Sequence, residues 1–152
     1  MDESPFRHDN VLFRFFRITQ SMRRLVARAL EGTDLSTDEY GVFSGIVGLG
    51  PVSPTELANA LGVPPTTISV YLARFLERGL VQRLPNPGDG RSYLVEATEL
   101  GRALVLRVGP RLRVEADAIM AASDLSFDEL MRALGTLEQA ARSAVDADTT
   151  NV

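Results

Sequence analysis

The sequence predicts a mainly α fold with a small β-hairpin wing. Three observations carry this. The helix-start pattern S-x-x-E occurs three times, at Ser36–Glu39, Ser53–Glu56 and Ser126–Glu129. Apolar residues recur at helical spacing near both ends of the chain. Between them, two short helical stretches joined by a glycine precede a turn-rich segment with strand-like flanks.

The first helix shows in Val11, Phe15, Ile18, Met22, Leu25 and Ala29, a seam of alternating four- and three-residue steps that ends at Gly32. In each S-x-x-E box the serine oxygen can accept the N–H three residues on while the glutamate reaches back to the serine N–H. Each box has an apolar staple: Leu35 with Tyr40, Val52 with Leu57 and Leu125 with Leu130. Helices should therefore open near residues 37, 54 and 127, with Pro54 at a first position where its missing donor is harmless. The run Gly45–Gly50 lacks the strand before it, the helix after it and the lysine of a phosphate loop, and is read as the packed end of the second helix.

The third helix carries Leu57, Ala58 and Leu61, and Gly62 suits a left-handed turn. After Pro64-Pro65 a fourth helix turns Ile68, Leu72 and Phe75 inward and Thr66, Thr67, Ser69, Val70, Ala73 and Arg74 outward or to its flanks. Two short helices joined this way match a helix-turn-helix. Leu80 to Leu84 and Ser92 to Ala97 read as strands around the turn Pro85–Gly90, with Tyr93, Val95 and Ala97 on one side. A hairpin directly after the second helix is a wing, and Arg83 and Arg91 flank its tip. A long helix from Glu99 to Ala122 should kink or break at Gly109-Pro110. The last helix repeats a seam of Leu130, Leu134, Leu137, Ala141 and Ala144.

Composition narrows the function. With 152 residues the chain can bury a core without a crosslink or metal. It has no cysteine and one histidine, His8, which leaves no thiol chemistry and makes a zinc site improbable. No nucleophile–base pair or metal cluster is visible, so an enzyme is not expected, nor is a cofactor. No apolar run is long enough for a bilayer and no secretion signal is seen, so the expectation is a cytoplasmic protein without membrane contact. All sixteen basic residues are arginine, and the net charge is −4. The charge is uneven: Tyr40 to Leu76 contains one carboxylate, Glu56, whereas Val114 to Val152 carries eight acids against two arginines. The middle of the chain can thus present a locally positive surface.

The run Leu76-Glu77-Arg78-Gly79-Leu80-Val81-Gln82-Arg83, then Asp89-Gly90-Arg91, then Ala97-Thr98-Glu99-Leu100-Gly101 resembles the MarR family of bacterial transcriptional regulators. The resemblance is close over about residues 35 to 104. It implies a winged helix-turn-helix lobe over residues 36–98 and a helical dimerisation region from both chain ends, 6–32 and 99–146. It further implies a homodimer on double-stranded DNA, acting as a repressor at a pseudo-palindromic operator, with a small-molecule effector able to relieve binding. The fourth helix would enter the major groove and Arg91 would reach the minor groove or its phosphates, with Asp89 holding Arg91 or a neighbouring arginine. Residues placed toward DNA are Thr66, Thr67, Ser69, Val70, Arg74, Arg83 and Arg91. Arg23, Tyr40 and Phe43 are candidates for an effector pocket, although the aromatics Phe15, Phe16, Tyr40 and Phe43 read first as core. The sequence departs from the family pattern at Val70, Ala73, Ala97 and Pro64-Pro65. Arg74 and Arg78 can instead pair with Glu77 or other acids. The stripe Arg14, Arg17, Arg24 and Arg28 reads as a solvated helix face, or else as a basic wall for DNA or an anionic effector. The rival reading is a winged-helix protein-interaction module that does not bind DNA, which net acidity and Val70 favour slightly.

Overall fold

A computed structural model describes residues 11–149. His8 and residues 6–10 of the first helical segment lie outside them. The order of elements is α1 (Val11–Ala29), α2 (Thr37–Leu49), α3 (Pro54–Leu61), α4 (Pro65–Glu77), β1 (Val81–Pro85), β2 (Tyr93–Ala97), α5 (Glu99–Ala121) and α6 (Phe127–Thr149). The protein is mainly helical with one antiparallel hairpin, as expected.

All three capping boxes form. Ser36, Ser53 and Ser126 each accept the N–H of the glutamate three residues on, and Glu39, Glu56 and Glu129 each accept the serine N–H. Reciprocal bonds at a helix start satisfy two donors that would otherwise face water or lie unpaired. Hydrogen bonds from Ser53 and Ser126 hold the Glu56 and Glu129 carboxyls below the ordinary glutamate range. Gly62 ends α3 in the left-handed region at φ 63°, and α4 starts three residues later.

The core of the lobe is built from one face of each short element. Phe43 and Ile46 of α2, Leu57 of α3, Ile68, Leu72 and Phe75 of α4, and Val95 of β2 are all fully buried. Phe43 and Phe75 meet edge to face at 5.4 Å, a favoured arrangement of ring quadrupoles. Gly45 closes α2 against α3, since a Cβ there would meet Leu61 at 3.0 Å. The hairpin register pairs Val81 with Ala97 and Pro85 with Tyr93. Val52 adds a bridge to Val95, with mutual backbone bonds of 3.0 and 2.8 Å, which ties the start of α3 to the wing.

α5 leaves the lobe through Thr98. Its hydroxyl accepts the Gly101 N–H at 3.1 Å and donates to the Gly79 carbonyl at 2.7 Å, and its own N–H donates to the Leu80 carbonyl at 3.0 Å. α5 then continues unbroken through Pro110, so the expected break does not occur. The ring removes one backbone donor, but Gly109 before it carries no Cβ to clash with the ring, and Val108 is anchored at 1% exposure.

α1 packs along α5. Arg28 binds Glu115 through its guanidinium, and Arg111 donates to the Glu31 carbonyl at 2.6 Å. Most of α1 and nearly all of α6 are exposed, including Phe16 at 58%, Ile18 at 52%, Leu134 at 48% and Leu137 at 42%. α6 reaches the lobe through Arg142, which donates to the Ala60 carbonyl at the end of α3. No helix among the described residues is long and apolar enough to cross a membrane.

Candidate nucleic-acid interface

α4 is held from behind and bare in front. Ile68, Leu72 and Phe75 are buried, while Thr66, Ser69, Val70, Ala73, Arg74 and Glu77 are exposed. The period of 3.6 residues places these two sets on opposite sides. Thr66 stands free on the first turn. Thr67 is half-buried and turns toward α2, where it lines a cleft of about 430 Å³ with Tyr71, Thr37, Asp38 and Val42. Ser69 donates its hydroxyl to the Pro65 carbonyl at 2.9 Å, leaving its oxygen lone pairs as acceptors. Val70, 52% exposed, offers only apolar contact, the kind that suits a thymine methyl.

Arg74 and Arg78 do not pair with Glu77. Both turn to Glu39 on α2, Arg74 with Nη1 at 3.2 Å and Arg78 at 3.9 Å from the same oxygen. The Arg74 side chain nevertheless remains 57% exposed. Burial alone would raise the Glu39 pKa, but the Ser36 bonds and the two arginines outweigh it and hold the carboxyl below its ordinary range.

The wing tip bonds to itself. Asn86 accepts the Gly88 N–H at 3.0 Å and donates to Ser92 at 2.7 Å, and the Ser92 N–H donates to the Asp89 carbonyl at 3.0 Å. The Asp89 carboxylate accepts the backbone N–H of Arg91 at 3.0 Å. Asp89 therefore fixes the turn beneath Arg91 through that residue's backbone. The Arg91 guanidinium is exposed and has no partner among the described residues. Arg83, farther down the wing, stacks its guanidinium over the Tyr93 ring at 4.4 Å, a cation–π contact that restrains it.

The residues named for an effector pocket lie in different surroundings. Phe43 is sealed in the core at 0% exposure and Tyr40 packs half-buried against it. Arg23 lies on the surface with its guanidinium taken up by Asp38 at 2.7 and 3.0 Å. A cleft of about 450 Å³ lies elsewhere, where α5 leaves the lobe, lined by Asp34, Arg78, Leu80, Leu100, Leu104 and Arg107. Of the arginine stripe on α1, Arg28 is engaged by Glu115. No group of His, Asp and Glu among the described residues could hold a metal ion.

Sequence reasoning missed the Val52–Val95 bridge and the second role of Glu39. The bridge has no sequence signature, since one residue pair makes no alternating run. Glu39 was legible only as a cap residue. The signal for more was the arginine pair at positions 74 and 78, one turn apart beside a helix interface, with no carboxylate in their own segment apart from Glu77.

Comparison with known proteins agrees with this geometry. The family model of the MarR family matches residues 33–92, from the approach to α2 through the wing tip. The multiple antibiotic resistance protein MarR of Salmonella typhimurium is 33% identical over 89 residues, covering 59% of this chain and 62% of that protein. The match thus spans less than two thirds of that relative's length. The HTH-type transcriptional repressor NicR of Pseudomonas putida is 46% identical over 56 residues, 37% of this chain and 35% of its own. A mutant MarR of Escherichia coli, solved in complex with operator DNA, superposes with a TM-score of 0.74 at 25% identity, covering 90% of this chain and 99% of that one. With the helix-turn-helix, the wing and the α5 lead-in all in place, the chain is similar in sequence over residues 33–92, and in fold over most of its length, to the MarR family of transcriptional regulators.

Proposed function

We propose that the protein is a homodimeric DNA-binding repressor that reads a pseudo-palindromic operator with α4 and grips the flanking backbone with the wing. The observation that carries this reading is the pairing of two exposed features on one rigid lobe. α4 presents a bare face, and the wing tip presents a guanidinium with no internal partner. Helices of this kind fit the major groove, and arginines bind phosphate or a narrow minor groove. The operator-bound neighbour and the repressor NicR support the same reading.

Thr66 and the Ser69 oxygen suit hydrogen bonds to phosphate or base edges, Val70 suits apolar contact, and Arg74, Arg83 and Arg91 suit phosphate. Thr67 contributes less directly, since it faces α2. Asp89 supports the wing through its backbone bond. The exposed seams of α1 and α6 are the support for a dimer, because apolar faces this extensive are unstable in water unless a second surface covers them. Two recognition helices about a two-fold axis would then read half-sites roughly 34–36 Å apart. The cleft at the root of α5 suits an effector with an apolar body and an anionic group, held by Leu80, Leu100 and Leu104 and by Arg78 and Arg107. Such a ligand acts only through unequal affinity for the DNA-competent and incompetent arrangements.

The experiment is selection of genomic fragments by the purified protein, followed by sequencing. A shared inverted repeat among the retained fragments is the expected result. Retention of no fragment above background at low salt would favour a protein-interaction module instead.

A further inference from the structure

Glu39 is the one buried carboxylate among the described residues, at 6% exposure. The two other boxes in the same chain serve as internal controls for what a capping glutamate needs. Glu56 and Glu129 make the same bonds to their serines while exposed to solvent, and no arginine pairs with either in the described structure. Capping therefore requires neither burial nor a cation. At Glu39 the two oxygens divide the work. Oε2 accepts the Ser36 N–H at 2.8 Å, and Oε1 accepts from Arg74 at 3.2 Å with Arg78 at 3.9 Å.

The two arginines are not equivalent. Arg78 is 28% exposed and sits deep, where its charge offsets that of the carboxylate. Arg74 is 57% exposed and lies at the border between the bare face of α4 and its flank toward α2. A guanidinium has five N–H donors in a planar fork. Glu39 accepts from one nitrogen of Arg74, and the side chain stays 57% exposed, so donors remain for a second acceptor.

We propose that Glu39 is a positioning residue for DNA binding, holding Arg74 along the edge of the recognition helix so that its free guanidinium edge takes a phosphate. The carboxylate, the guanidinium and the phosphate then form a relay, with Arg78 keeping the site from carrying net negative charge. An arginine ordered before it meets DNA loses less freedom on binding. This inference rests on the DNA-binding reading above. The opposite possibility, that Glu39 withdraws Arg74 from DNA, would require the arginine to be enclosed, and it is mostly exposed.

The test is a fluorescence titration of the full chain against a mixed-sequence duplex across a salt series, with wild type, E39Q, R74A and the double variant. Glutamine still completes a capping box, so E39Q isolates the charge. E39Q should weaken binding roughly three- to tenfold, the range expected for losing the pre-ordering of one long side chain. R74A should flatten the log affinity against log salt plot by about 0.9, one phosphate contact. Adding E39Q to R74A should change nothing further. Equal weakening by E39Q in both backgrounds would mean a purely structural role, and tighter binding by E39Q would mean a sequestering one; either overturns the proposal. Should E39Q fail to fold, R74K decides: lysine keeps the charge but lacks the fork, so it should keep the wild-type salt slope yet bind roughly three- to tenfold more weakly, and wild-type affinity would overturn the relay. Absence of duplex binding by the wild type at the lowest salt would overturn the DNA reading itself, and the inference with it.

Discussion

Replacing Gly101 by alanine should destabilise the lobe although alanine is the better helix former. Gly101 is buried in the first turn of α5. A Cβ there would press into the carbonyl oxygen of Leu80, far inside contact distance, and would lie 2.9 Å from Phe43 Cζ. Neither obstacle can step aside cheaply. The Leu80 carbonyl accepts the Thr98 N–H at 3.0 Å, so moving it breaks the junction between β1 and α5. Phe43 is fully buried against Phe75. Helix propensity favours alanine by about 1 kcal/mol, while forcing a methyl into a packed site costs about 1–3 kcal/mol or more. The backbone obstacle puts this case at the upper end, for a net loss of about 2 kcal/mol. For a chain of this size that corresponds to a fall in Tm of roughly 4–8 °C. Gly41→Ala in α2 is the control, because a Cβ there meets nothing within 4 Å. It should be neutral or stabilising by up to about 1 kcal/mol. Thermal unfolding followed by circular dichroism measures both. A Gly101→Ala protein as stable as wild type would refute the claim that glycine at this position is a packing requirement.

Ser53→Ala removes the cap oxygen of α3 and should cost about 1 kcal/mol in urea unfolding, with Ser53→Asp, which keeps an acceptor there, recovering most of the loss; no loss on Ser53→Ala would contradict the box. Leu134→Glu together with Leu137→Glu, at exposed seam positions of α6, should convert the proposed dimer to monomer by light scattering, and an unchanged mass would remove α6 from the interface. The Glu39 carboxyl also predicts a pH dependence. Its pKa is depressed below 4.5 in the folded protein, so its contribution is present above that value and is lost as pH falls through the depressed one. The stability gap between wild type and Glu39→Gln should therefore shrink on acidification below about pH 4.5, and a gap independent of pH would mean that the charge contributes nothing.

Much of this architecture was legible in the sequence because the informative signals are local. The S-x-x-E boxes state where α2, α3 and α6 open, since both bonds of a box span three residues. Gly62 marks the turn because only a left-handed residue fits there. The inward set Ile68, Leu72 and Phe75 follows from one helical period. What was not legible depends on distance along the chain. The pairing of Glu39 with Arg74 spans thirty-five residues, and the Val52–Val95 bridge spans forty-three. The role of Asp89 was visible only to the level of the residue, because a carboxylate two positions before an arginine can bind either its side chain or its backbone. The continuity of α5 through Pro110 was also hidden, since packing of Val108 and the missing Cβ of Gly109 decide it. The same holds for Phe43, whose ring is placed by tertiary contact with Phe75.

The most direct test of the central claim is the affinity of the full chain for selected genomic duplex across a salt series, wild type beside Arg91→Ala. The account predicts that log affinity falls linearly with log salt for the wild type, with a slope of several phosphate contacts, and that Arg91→Ala lowers both the affinity and, by about 0.9, the slope. Identical affinities for the two proteins at every salt concentration would contradict the wing as a DNA contact, and no binding by either at low salt would contradict the claim that this lobe grips DNA.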